Sequence, residues 1–201
     1  YKVQLTALLR ASAFGDIKIM VPLVTNLDEI RQVKALVKEC MADLDARGVS
    51  YNKDIEVGTM IETPAASLIA DDLAAECDFF SIGTNDLIGY TMCADRGNDK
   101  VAYLYEVYQP AVLRSLKRII EEGNKAGIMV GMCGEAAADP LLIPVLLSFG
   151  LGEFSVSAPS ILRTRRIISE WTKAEADALV EKVMKLKTAT EVKAMLQAAA
   201  K

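Results

Sequence analysis

The chain has 201 residues, 52% hydrophobic and 25% charged, with a formal net charge of −4. That is an ordinary globular composition for one domain with a sizeable core, and the acidic balance excludes nucleic-acid and anionic-membrane partners, which demand clustered positive charge. There is no histidine, and the four cysteines, Cys40, Cys77, Cys93 and Cys133, form no CxxC pair; a Cys/His zinc site is thereby excluded.

Scattered thiols of this kind read as reduced and cytoplasmic. The longest apolar stretch, Leu141 to Leu151, is interrupted by Pro144 and is too short to cross a bilayer. No secretion signal opens the sequence. Without histidine, acid–base chemistry near neutral pH falls to Asp, Glu, Cys, Lys, Tyr or water.

Residues 1–14 read as a helix that begins abruptly with no cap, a start more natural for a truncated chain than for a complete one. Ile17 to Val21 predicts the first strand, and Asn26 with Glu29 forms a capping box for a helix ending near Gly48. Ile55 to Ile61 is the second strand. Pro64 then opens a helix with Leu68, Ile69, Leu73 and Ala74 on one face. Phe79 to Ile82 is the third strand, followed by a long polar connection with a short helical stretch and a helix from Pro110 that turns Val112, Leu113, Leu116 and Ile120 inward. Gly127 to Met132 is the fourth strand, and Asp139-Pro140 signals the start of a helix ending near Gly150. Glu153 to Val156 is the fifth, with a helix from about Ser160 and two more behind it, the last beginning at Thr188 to Glu191.

Strict strand–helix alternation predicts a parallel sheet in a single unit spanning residues 1–201, because each crossover needs a helix and runs right-handed. Spacing alone allows an open doubly wound sheet, the default at this length, or part of a (β/α)8 barrel. The abrupt first helix favours the barrel.

Ligands of parallel sheets gather at the carboxyl ends of the strands. Here those ends carry Glu62, then Gly83-Thr84-Asn85-Asp86, then Cys133-Gly134-Glu135, then Ser157. Glu62 and Asp86 make an oxygen-ligand pair suited to Mg²⁺ or Mn²⁺; the alternative is that both merely serve helix starts. Arg96, on the loop Ala94 to Asn98, can clamp a phosphate or carboxylate, or else pair with Asp95 at the surface. Cys133 can trade a proton or attack as a nucleophile, or pack as a small hydrophobe. Cys40, Cys77 and Cys93 fit that packing role.

Four ordered motifs carry a resemblance: Ile61-Glu-Thr-Pro-Ala-Ala66, Phe79-Phe-Ser-Ile-Gly-Thr-Asn-Asp86, Asp95-Arg-Gly-Asn98 with Leu104-Tyr105, and Gly131-Met-Cys-Gly-Glu135. Together they are similar to the phosphoenolpyruvate-utilising family, which includes pyruvate phosphate dikinase, phosphoenolpyruvate synthase and enzyme I of the bacterial sugar phosphotransferase system. The last two motifs look most like the enzyme I branch. The resemblance implies the later βα units of a (β/α)8 TIM barrel followed by C-terminal helices. It also implies a homodimer, Mg²⁺ held by Glu62 and Asp86, phosphoenolpyruvate bound by Asn85, Asp86 and Arg96, and Cys133 as proton donor when pyruvate forms.

In the family the phosphoacceptor histidine and the part that docks the carrier protein HPr lie upstream, as do earlier strands bearing two further arginines. The expectation is therefore a chain that is inactive by itself. Gly89 stands where the resemblance leads one to expect a larger polar residue, usually Gln. Two other readings remain open at this point: a metal-dependent lyase or aldolase of the wider phosphoenolpyruvate/pyruvate barrel group, and a non-catalytic assembly module with open strand edges.

Overall fold

The computed structural model describes residues 1–201. In chain order it contains α1 (Lys2–Ala11), β1 (Ile19–Val21), α2 (Leu27–Ala46), β2 (Val57–Ile61), α3 (Pro64–Leu68), α4 (Ala70–Ala74), β3 (Phe79–Gly83) and α5 (Thr84–Met92). There follow α6 (Pro110–Ala126), β4 (Met129–Cys133), α7 (Ile143–Phe149), β5 (Glu153–Phe154), α8 (Ile161–Glu170), α9 (Lys173–Val183) and α10 (Ala189–Ala199). Short 3-10 turns lie at Ala102–Leu104, Glu135–Ala138 and Ala158–Ser160.

All strand pairs are parallel, and the sheet order β1-β2-β3-β4-β5 is the order of the chain. This order decides between the two folds that spacing left open. A doubly wound sheet reverses direction at a switch point and so covers both faces with helices. Five strands added always to the same side, each by a right-handed crossover, place every connecting helix on one face. The result is an arc of a TIM-type barrel.

Residue parity shows the same thing. Val57, Thr59, Ile61, Phe80, Ile82, Val130 and Met132 face the helices, and each is 5% exposed or less. Their neighbours on the other face include Met20 and Met129, 40% and 38% exposed.

Local chemistry sets the helix boundaries. The Asn26–Glu29 box forms as read, and so does Thr188–Glu191; an equivalent box at Thr172–Glu175 was not read from the sequence. In α6, Pro110 occupies the first turn and Gly127, at φ +74°, ends the helix. Five large aliphatic residues of α6 are buried against the sheet, and Gly123 lets it approach β4 closely: a Cβ there would lie 2.3 Å from Val130 Cγ2.

Strands β1, β2 and β4 each begin two residues later than expected, and three further elements differ. The helix opened by Pro64 breaks at Ile69 (φ −107°, ψ 27°) into α3 and α4. The seventh helix starts at Ile143 rather than at Asp139-Pro140, because the Asp139 carboxylate caps a local turn by accepting from the Leu141 N–H (2.9 Å) and also takes the Tyr108 hydroxyl (2.5 Å). Strand β5 is cut to two residues, paired on one edge only, with Gly131 and Met132.

Candidate functional site

Glu62 lies just past β2 and, by parity, on the side of the sheet away from the helices. It is only 3% exposed. Its Oε1 accepts from the Leu23 N–H at 2.8 Å, where the chain takes an unusual left-handed turn (φ 54°). Capping of α3 falls instead to Thr63, whose hydroxyl accepts from the Ala66 N–H (3.0 Å) and donates to the Val24 carbonyl (2.7 Å). Glu62 is thus freed from the capping role.

Burial pushes the Glu62 carboxyl above its ordinary value; the Leu23 N–H works against this, and the Asp86 carboxylate beside it adds to the rise. Gly83 makes room for it across β3, since a Cβ there would sit 2.5 Å from Glu62 Oε2.

Strand β3 runs directly into α5, placing Asn85 and Asp86 in that helix's first turn. The helix ends at Cys93 in the left-handed conformation (φ 51°), and the Ala94 N–H returns to the Gly89 carbonyl (2.9 Å). Asp95 then closes a tight turn by accepting from the Gly97 N–H at 2.8 Å, so its carboxylate serves the loop and does not pair with Arg96. Asn85, Asp86, Arg96 and Tyr105 line one pocket of about 400 Å³, a size suited to a small ligand.

Tyr105 comes from the 3-10 turn that ends this loop, and its hydroxyl donates to the Asn85 carbonyl at 2.8 Å. Burial raises the Tyr105 hydroxyl above its ordinary value, while the Arg96 guanidinium beside it pulls the other way. Nothing in composition or spacing singled out Tyr105; its place in the Leu104-Tyr105 motif was the available signal.

Cys133 closes β4 in register with Gly83. Its thiol donates toward the Ile82 carbonyl (3.6 Å) and accepts from the Ser81 hydroxyl (3.7 Å), both on the neighbouring strand. It is half-buried on the same open face as Glu62 and does not line the Arg96 pocket. The strand ends are pinned together, since the Thr84 hydroxyl donates to the Cys133 carbonyl (3.1 Å) and Gly134 packs on Thr84 at φ +93°.

The other thiols divide. Cys40 and Cys77 are buried, and burial pushes Cys77 up to about 11. Cys93 is exposed on the pocket wall, contrary to a packing role. Ser157 shares a hydrogen bond with Ser160 (3.1 Å) and takes no part in the pocket. The fold therefore brings Asn85, Asp86 and Arg96 into one pocket with Glu62 next to Asp86, and it sets Cys133 on β4, across β3 from Glu62.

Known proteins are similar to this sequence. Residues 1–173 match the family model described as PEP-utilising enzyme, PEP-binding domain. Phosphoenolpyruvate-protein phosphotransferase of Bacillus sp. (strain S) is 53% identical over 192 residues, covering 96% of this chain and 33% of that protein. The protein of the same name from Bacillus subtilis (strain 168) is 49% identical over 197 residues, covering 98% and 35%. The chain thus spans about a third of the length of these curated relatives. A citrate lyase crystal structure from Burkholderia xenovorans LB400 superposes with a TM-score of 0.61 over 99% of this chain and 68% of that one. At 15% identity that likeness carries the fold and no chemistry. On the family match and on relatives near half identity, the chain belongs to the PEP-utilising enzymes, as their PEP-binding domain.

Proposed function

We propose that this chain binds phosphoenolpyruvate as a magnesium complex, as part of a phosphoenolpyruvate-protein phosphotransferase. The observation that carries the reading is the pocket in which the Arg96 guanidinium and the Asp86 carboxylate share a wall at the carboxyl ends of the strands. Phosphoenolpyruvate offers a phosphate and a carboxylate, and a guanidinium meets either in bidentate fashion.

A divalent cation fits the residues present. Glu62 and Asp86 lie side by side, Glu62 is buried, and burial with that neighbouring charge already disfavours its ionised form. No third His, Cys, Asp or Glu completes a cluster, so Mg²⁺ held by these two oxygens would keep positions for substrate oxygens. When bound it neutralises charge on the phosphoryl oxygens.

In the reaction, Arg96 and the backbone N–H groups around Asn85 hold the phosphoryl group in line. The P–O bond to the enol oxygen breaks, and the phosphoryl group leaves for a histidine. The enolate that remains takes a proton on its methylene carbon, giving pyruvate; the group assigned to supply it is the Cys133 thiol, which stands beside the pocket on the open face of the sheet and does not line it. The chain has no histidine of its own, so the acceptor, and HPr after it, stand outside these residues. The chain alone binds without turning over. The same reading brings a homodimer and a cytoplasmic location, with which the lack of any helix long and apolar enough to cross a membrane is consistent.

Calorimetric titration of phosphoenolpyruvate into the chain tests this. Binding with Mg²⁺ is expected to weaken about tenfold to a hundredfold in Arg96→Gln, the loss of a charge-assisted contact. In Glu62→Gln it should lose its sensitivity to EDTA. Absence of Mg²⁺-dependent heat from the unmodified chain, or turnover with HPr from this chain alone, contradicts the proposal.

A further inference from the structure

Arg96 is an exposed residue on a loop between two helices, yet the pocket needs its guanidinium in one place. Holding so long a side chain still costs about 2 kcal/mol of rotamer entropy unless neighbours have already ordered it. The loop's own ties, Ala94 to Gly89 and Gly97 to Asp95, fix backbone and leave the guanidinium unaddressed. Of the other polar side chains on that wall, Asn85, Asp86 and Tyr90 make no side-chain hydrogen bond, whereas the Tyr105 hydroxyl is tied down.

A tyrosine hydroxyl has one proton to give. Here it is given to the Asn85 carbonyl at 2.8 Å, so toward the pocket the oxygen can only accept. A phosphate or carboxylate, itself an acceptor, gains nothing from it, whereas a guanidinium is all donor. We propose that Tyr105 is a positioning residue: anchored on the first turn of α5, it turns an acceptor lone pair into the pocket and orders the Arg96 guanidinium beside Asp86. The ring lies over Gly89, where a Cβ would stand at ordinary contact distance, 3.7 Å, from Tyr105 Cε2. Arg96 and Tyr105 line the same pocket, and the downward pull of the guanidinium on the Tyr105 hydroxyl agrees with their lying close together. The inference rests on the reading of this pocket as the anion site.

The test is Tyr105→Phe, which keeps the ring and removes the oxygen. In the ligand-free chain, ¹⁵N relaxation at Arg96 Nε should show a rigid side chain that becomes mobile in the variant, while the amide spectrum elsewhere is kept. With Mg²⁺, phosphoenolpyruvate should bind about tenfold more weakly, the worth of one such hydrogen bond. In the double variant with Arg96→Gln, the tyrosine change should add nothing further, since it acts through the arginine. Equal rigidity of Arg96 Nε in both proteins, or losses that multiply in the double variant, overturns the proposal. Failure of the unmodified chain to bind phosphoenolpyruvate, with Arg96 still loosened by Tyr105→Phe, removes the ligand reading and leaves the positioning role standing.

Discussion

Along β2, β3 and β4 alternate residues point to opposite faces, and the two faces are made of different material. Toward the helices stand Val57, Thr59, Ile61, Phe80, Ile82, Val130 and Met132, all closely packed. On the other face Gly58, Gly83 and Gly131 alternate with Met60, Phe79, Ser81 and Cys133. Each of those glycines lies under a large side chain from a neighbouring strand: Phe79 over Gly58, Glu62 over Gly83 and Glu153 over Gly131. The helix face is filled by its own residues, whereas the open face is hollowed so that chemical groups can lie across it. Stability is therefore concentrated on one side of the sheet and chemistry on the other.

The largest effect that can break this contrast is a truncation on each face. Phe80 is fully buried beneath the helices, and Phe80→Ala should cost about 3–5 kcal/mol of unfolding free energy. Met129, 38% exposed on the open face, should lose less than about 1.5 kcal/mol on truncation to Ala, because little area returns to water and no closed cavity forms. Urea unfolding of the two variants decides it; similar losses would mean that the open face carries fold stability too.

Gly83→Ala sharpens the contrast at the site. The added methyl would sit 2.5 Å from Glu62 Oε2 and 2.8 Å from Met60 Sδ, so Glu62 must move. Overpacking of this kind costs about 1–3 kcal/mol, and Mg²⁺-dependent phosphoenolpyruvate binding should vanish with the displaced carboxylate. Gly131→Ala, whose methyl would meet Glu153 Cβ at a tight 3.3 Å beside an exposed strand, should leave binding intact. Calorimetry on the pair separates room for a ligand carboxylate from the general intolerance of a packed sheet.

What could be read from the sequence follows the same division. The strands announced themselves through apolar runs, and the helices through Asn26–Glu29, Pro110 and Thr188–Glu191, because those signals are local. The choice of a barrel arc over a doubly wound sheet was not local. It depends on strand order, which the pattern of elements leaves open and which the structure fixes as β1 to β5 in sequence. Of the candidate site residues, Glu62 and Asp86 were legible as polar groups just beyond apolar strands, and Arg96 as a cation on the loop that follows α5. Tyr105 was not, since its use depends on the carbonyl of Asn85, twenty residues away in the chain. The start of α7 was misread for a similar reason: Asp139 is engaged by Tyr108 from another loop.

The smallest effect concerns carboxylates, which the two environments shift in opposite directions. Burial raises Glu62, so its contribution to stability is present below the unfolded value and is lost as pH rises through the folded one. Glu175 is the reverse case, at the start of α9 on the outside. The Lys201 ammonium at 2.8 Å, then the Thr172 N–H and hydroxyl of its capping box, bring it from 4.5 down to about 2. Its contribution is therefore complete above pH 4.5 and drains away as pH falls toward 2. The carboxylates of the cap boxes at Glu29 and Glu191 are lowered by threonine hydroxyls and backbone N–H groups, that of Lys187 among them, and by no lysine ammonium, so Glu175 should be the last of the three to protonate. Carboxyl carbon shifts followed by NMR on acidification give that order, and amide exchange in the first turn of α9 should quicken only at the acid end. Lys201→Ala should bring the Glu175 midpoint back toward those of Glu29 and Glu191 without altering ligand binding, because the exposed cap and the open face of the sheet share no residue. A change in phosphoenolpyruvate affinity on that substitution would show that the C-terminal helices reach into the site after all.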